Sequence, residues 1–204
     1  MTGQRDGEAV EARILAIALR HLRRDGLKRM AIVRIAADAG MTHANVYRYF
    51  MSKTALADRL VADWLRGIER VLTDIAQAPD PADDKLERFI TLYARALGEE
   101  ARGDPARFSV LLDADEKGRA VALRHRQRVR DLLARVLEEG SATRVFMQGD
   151  VRRGESFVFD ALHRFLDPHA VAREIAADSK EGGGREARRD RITRLVLRGL
   201  SGAS

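Results

Sequence analysis

The run from Val33 to Leu56, VRIAADAGMTHANVYRYFMSKTAL, constrains this chain more than any other stretch. Ile35, Ala36 and Ala39 recur at helical spacing and give a first short helix a small apolar face. Gly40 supplies the left-handed backbone that stops a helix without a Cβ clash, and Met41 plugs the turn. Thr42 is a good N-cap for a second short helix, in which Val46, Tyr49 and Phe50 share a face. His43, Ala44, Asn45, Tyr47 and Arg48 are left largely outside. An apolar back with a front of His, Asn, Tyr and Arg is what a helix needs to enter a DNA major groove.

The residues Ile35-Ala36, Ala39-Gly40-Met41, Tyr47, Phe50, Ser52-Lys53 and Leu56 resemble the DNA-binding domain of the TetR family of bacterial transcriptional regulators. The resemblance spans residues 10–60 without a gap. It implies an all-α chain. An N-terminal three-helix helix-turn-helix DNA-binding domain would take residues 1–55, and a larger C-terminal helical ligand-binding and dimerisation domain residues 56–204. Many members carry Ser or Thr just before the first helix of the motif; here the chain reads Met30-Ala31-Ile32, so that phosphate contact is not carried over. On the resemblance, Thr42, Tyr47, Tyr49 and Lys53 would hold phosphates, which fixes position rather than sequence. His43 and Asn45 are the best candidates for reading bases, Asn being suited to adenine, with Ala44 and Arg48 on the same helix.

Charge agrees with that division. Residues 1–60 hold eleven Lys and Arg against six Asp and Glu, an excess of +5; the other 144 residues hold 26 against 25. The basic excess therefore sits where phosphate is expected. The chain has no cysteine, which removes disulfides and thiol chemistry, and four prolines among abundant Ala, Leu and Arg. No apolar run reaches membrane-span length and MTGQRDGEAVEAR is too polar for a signal peptide, so a soluble, cytoplasmic protein without membrane contact is expected.

In chain order, residues 1–7 read as disordered and a first helix runs over 8–24, with Val10, Ile14, Ile17 and His21 or Leu22 as its stripe, closed by Asp25-Gly26. His21 is read as a packing residue. Ser52 caps a long fourth helix through Leu56, Leu60, Val61, Trp64, Ile68, Val71 and Ile75. Lys53, in its first turn, opposes the helix dipole and so calls for another partner, DNA phosphate being the obvious one. Further helices are expected over 82–100, after Asp104-Pro105, from about Lys117 to a stop at Gly140, over 151–166 and over 186–200, with a flexible break at 179–184. The basic run Arg124–Arg130 is read as a solvated face, with one Arg or His turned toward a pocket as the lesser alternative.

The family resemblance further implies a small-molecule effector held in the C-terminal domain, with Trp64, Tyr93, Phe108 and His125 as candidate contacts. It also implies a homodimer made by the last two amphipathic helices, with Phe157, Leu162, Phe165, Leu195 and Val196 at the interface. The alternative is that these helices only close the subunit's own core. Asp160, His163 and Asp167 share a helical face near His169 but nothing else converges on them, so they are read as polar decoration rather than a metal site. Glu99-Glu100 and Glu138-Glu139 are adjacent acids that point apart on a helix, without a base or nucleophile beside them. No enzyme, cofactor or metal is expected. The expected function is a repressor, released from a near-palindromic double-stranded DNA operator by its effector. A helix-turn-helix regulator without an effector pocket, and an activator, remain as alternatives.

Overall fold

The structure, a computed structural model, describes residues 2–178 and 184–202. Among them lie eleven α-helices and no strand: α1 Thr2–Arg29, α2 Ile32–Asp38, α3 His43–Tyr47, α4 Lys53–Gln77, α5 Ala82–Gly103, α6 Pro105–Glu116, α7 Ala120–Ala142, α8 Val151–Ala161, α9 His163–Leu166, α10 Pro168–Asp178 and α11 Arg185–Ser201. They form two compact units, Met1–Leu65 with Asp104–Val121, and Arg66–Gly103 with Ala122–Ser204. A single cut after residue 55 would leave α6 with the second domain; the compact units put it in the first.

In the N-terminal unit, α1 buries most of the expected stripe: Ile14, Ile17, His21 and Leu22 are all 5% exposed or less, joined by Ala18, while Val10 is only half-buried. The helix begins earlier than expected, at Thr2, so residues 2–7 are helical rather than disordered. It breaks where expected, at Gly26, whose φ of 73° lies in the left-handed region. Ile32, Ile35 and Ala36 of α2, Val46 of α3, and Leu56, Ala57, Leu60, Val61 and Leu65 of α4 complete this core. The unit also takes in α6, which packs on α1 through its buried Phe108, Val110, Leu111 and Ala114. Asp104 caps α6, accepting from the Arg107 N–H at 3.2 Å, and Pro105 opens it at the position where the missing N–H costs nothing. The same carboxylate takes Arg23 of α1 through Nε at 3.0 Å and Nη2 at 2.7 Å. Arg119 ties the end of α6 to Asp58 of α4 at 3.2 Å and to Asp113 at 2.9 Å.

The C-terminal unit is a helical core of α5 and α7 with the second half of α4, closed by α8 to α11. Leu86, Phe89, Ile90 and Leu97 of α5 and Leu132, Leu133 and Val136 of α7 are all fully buried. Lys85, 2% exposed, is held by both oxygens of Glu139, at 2.7 and 2.8 Å. Two sequence expectations fail here. Gly140 does not stop α7, which runs on to Ala142; it is where the Phe146 ring closes onto the helix, and Phe146 N–H donates to the Gly140 carbonyl at 2.9 Å. The helix expected over 151–166 breaks at Leu162, and a further helix that was not expected, α10, opens at Pro168. Asp167 is its cap, accepting from the Ala170 N–H at 2.8 Å. The expected break at 179–184 lies, apart from Gly184, outside the described residues.

Candidate nucleic-acid interface and the polar groups of the two units

The turn between α2 and α3 is built as its sequence demands. Gly40 N–H donates to the Ala37 carbonyl and Met41 N–H to that of Ala36, both at 3.0 Å, which is the paired closure of a helix by a left-handed residue. Gly40 supplies that residue at φ 64°. The chain then re-enters helix at Thr42, extended, whose Oγ1 accepts the Asn45 N–H at 3.3 Å. Ala31, the residue before α2, makes no side-chain cap, in keeping with the missing hydroxyl there.

α3 is anchored from behind by Val46, fully buried, and by Phe50 beyond its end, 5% exposed. Thr42, His43, Ala44, Tyr47 and Arg48 are exposed, while Asn45 and Tyr49 are half-buried. The His43 and Tyr47 rings stand edge to face, 4.7 Å between centroids, so each limits the other's rotamers on the outer face. Ser52 caps α4 by accepting the Ala55 N–H at 3.0 Å. Lys53 has a partner within the protein: its Nζ donates to the Lys28 carbonyl at 3.1 Å, at the end of α1. An ammonium has three donors, so this bond fixes the side chain and leaves others for a phosphate oxygen.

The four candidate effector contacts fall into two pairs, one in each compact unit. In the N-terminal unit Trp64 is half-buried and meets the buried Phe108 of α6 in a tilted edge contact, 6.3 Å between centroids. In the C-terminal unit Tyr93 and His125 are each 4% exposed. Tyr93 Oη lies 3.4 Å from His125 Nε2, and His125 Nδ1 is 2.7 Å from Glu69 Oε1 on α4. None of the four lines either of two cavities in the C-terminal unit. One, of about 440 Å³, lies between α4 and α5 against Val71, Ile75, Arg88, Leu92 and Arg95. The other, of about 410 Å³, lies among α7, α8 and α11 against Leu137, Phe146, Met147, Phe157 and Leu200.

Of the expected interface residues, Leu162, Phe165 and Val196 are instead closed inside the subunit, at 0%, 0% and 1% exposure. Phe165 packs under the Arg185 guanidinium, 5.2 Å from its ring centroid. Phe157 and Leu195 are open, at 44% and 62%. Among the described residues no group of three or more His, Asp and Glu could hold a metal ion, and no helix is long and apolar enough to cross a membrane.

A short helix with a buried back and an exposed front of His, Tyr and Arg, set behind a glycine turn in a basic segment, defines a helix-turn-helix DNA-binding protein. The chain belongs to the TetR family of bacterial transcriptional regulators: residues 14–60 match the family model for bacterial regulatory proteins of the tetR family, and residues 82–182 that for the tetracyclin repressor-like C-terminal domain. It is similar in fold to the transcriptional regulator FadR from Bacillus subtilis, solved in complex with stearoyl-CoA, at TM-score 0.69 and 18% identity over 93% of this chain and 98% of that one. It is also similar to the fatty acid degradation regulator FadR from Bacillus halodurans, at TM-score 0.65 and 20% identity over 93% and 98%. A TetR/AcrR family regulator from Thermobifida fusca is similar at TM-score 0.66 and 18% identity over 93% and 97%. No curated protein matches the chain by sequence.

Proposed function

We propose that this regulator is a cytoplasmic homodimeric repressor that leaves a near-palindromic operator when a small molecule binds its C-terminal unit. The observation that carries the DNA half is the outward face of α3, where His43, Tyr47 and Arg48 stand exposed on a helix whose back is sealed by Val46. Two such helices related by a two-fold axis would occupy successive major grooves about 34–36 Å apart. The open Phe157 of α8 and Leu195 of α11 support a dimer through those helices, since exposed large apolar residues on neighbouring elements mark contact surfaces.

The effector half is supported by the polar group of buried Tyr93 and His125 with half-buried Glu69, which joins α4, α5 and α7 of the C-terminal unit. Long-chain acyl-CoA is the first ligand to try, because one regulator of similar fold is named for fatty acid degradation and another was solved with stearoyl-CoA. The test is to select a duplex from a randomised pool with the full chain and then to titrate stearoyl-CoA into the complex. Release, accompanied by a change in Trp64 emission over the same concentrations, is the expected result. Retention of DNA at saturating stearoyl-CoA would end the acyl-CoA reading, and failure to enrich any duplex would end the DNA reading.

A further inference from the structure

We propose that His21 is a positioning residue for DNA reading: by its hydrogen bond to Asp38 it holds the end of α2, and so the turn that aims α3. The proposal rests on α3 being the reading helix. That helix has five residues, too few to fix its own direction, so its aim is inherited from α2, from the turn and from α1 behind them.

Asp38 is the last residue of α2. A carboxylate there is opposed by the helix dipole, and it stands immediately before the Ala39-Gly40-Met41 turn. It is held from α1: His21 Nε2 lies 2.7 Å from Asp38 Oδ2, across 17 positions of sequence. The imidazole sits in the apolar stripe of α1 at 3% exposure, between Ile17 and Leu22, yet both ring nitrogens are engaged. Arg24 Nη2 lies 3.1 Å from Nδ1, and a guanidinium only donates, so Nδ1 is the acceptor. A carboxylate only accepts, so Nε2 carries the hydrogen and aims it at Asp38. The two neighbours together lock one neutral tautomer.

A second tie runs beside the first. Asp25, 16% exposed, takes Arg24 Nε and Nη2 at 3.0 Å each and lies 3.5 Å from Arg34 Nη2 on α2. Its Oδ2 is also 3.7 Å from His21 Nδ1. Hydrogen bonds from Arg24 hold the Asp25 carboxyl below its ordinary range despite partial desolvation, with the charges of Arg24 and Arg34 acting the same way. α2 is therefore pinned to α1 at Arg34 and again at Asp38. If His21 served packing alone, an aliphatic side chain would do as well at this site.

The test uses full-length protein, a duplex enriched from a randomised pool by the unmodified chain, and an unselected duplex of the same length. His21→Leu keeps the stripe apolar and removes the donor. It should weaken binding to the enriched duplex by about tenfold and to the unselected one by less than about twofold. His21→Gln, which returns an N–H near the place of Nε2, should recover most of the loss. Asp38→Ala should reproduce His21→Leu, Asp38→Asn should restore an acceptor and much of the affinity, and the double variant His21→Leu/Asp38→Ala should be no worse than either single one. Unchanged binding by His21→Leu, no recovery by His21→Gln, or losses that multiply in the double variant would each overturn the proposal. Should His21→Leu fail to fold, Asp38→Ala decides alone, its side chain being 52% exposed and dispensable to the core: no loss overturns the idea. If no duplex is enriched at all, the DNA reading fails and this proposal with it.

Discussion

The ring of Phe146 occupies the space that a side chain on Gly140 would fill. A Cβ added there would fall inside the envelope of the ring, within 2.9 Å even of its Cγ, although Gly140 lies inside α7 with ordinary helical backbone. Gly140→Ala should therefore cost about 1–3 kcal/mol, because the 5%-exposed Phe146 has to be displaced from the core. Gly67→Ala is the control. That glycine is inside α4 with open space around its Cα, and alanine should be neutral or stabilising by up to about 1 kcal/mol. Urea denaturation of the two variants separates crowding from helix propensity.

Asp104 makes the N-terminal unit sensitive to acid. Burial works to raise its carboxyl pKa, but the Arg23 hydrogen bonds, the Arg107 N–H and the charges of both arginines outweigh it and hold the group below its ordinary 3.8. With a depressed folded-state value, the stabilisation is fully present above about pH 4 and is lost as pH falls through the folded pKa. Asp104→Ala should cost about 1–2 kcal/mol near neutral pH, chiefly through loss of the α6 cap. Thermal melts at descending pH should show the gap between variant and unmodified protein closing only below pH 4.

Lys53 and Asn45 should fail in different ways. Lys53→Ala removes a cation already aimed by the Lys28 carbonyl, so binding to enriched and unselected duplexes should weaken alike, with the log–log salt slope reduced by about one per subunit. Asn45→Ala should leave the salt slope alone and lose about 1–3 kcal/mol of discrimination at particular base pairs. Salt titrations on both duplexes distinguish the two, and identical behaviour would refute the division of labour.

The proposed dimer can be tested without unfolding the subunit. Leu195→Arg places a charge where the side chain is 62% exposed, so helicity should persist while sedimentation shows monomer. Phe165→Arg places it at a site with no exposure, and the C-terminal unit should lose about 4 kcal/mol or more before any interface is in question. A dimer unaffected by Leu195→Arg would move the interface elsewhere.

What could be read from sequence was the local chemistry. The Gly40 turn, the caps at Thr42 and Ser52, the break at Gly26 and the Asp104-Pro105 start all depend on residues within a few positions of one another, and each stands in the structure as expected. Features that depend on distant partners were not legible. Gly140 carries the same letter whether it stops a helix or admits a ring from residue 146, and Pro168 the same letter whether it ends a helix or opens one. The stripe of Leu162, Phe165 and Val196 announced burial, but a stripe does not say whether the cover comes from the same chain or a second copy. The His21–Asp38 bond, spanning 17 positions, left only a polar residue in an apolar stripe and an acid at the wrong end of a helix.

The shielded amine of Lys85 turns the C-terminal unit into its own chemical clock. With 2% of the residue exposed and both Glu139 oxygens on its nitrogen, an amine-directed reagent reaches Lys85 only when α5 and α7 part. Lys28 and Lys117 lie exposed in the other unit and label at the rate of the reagent itself. The lag between those lysines and Lys85, read peptide by peptide in a mass spectrum, measures how often one unit breathes without any probe having to be added to the chain.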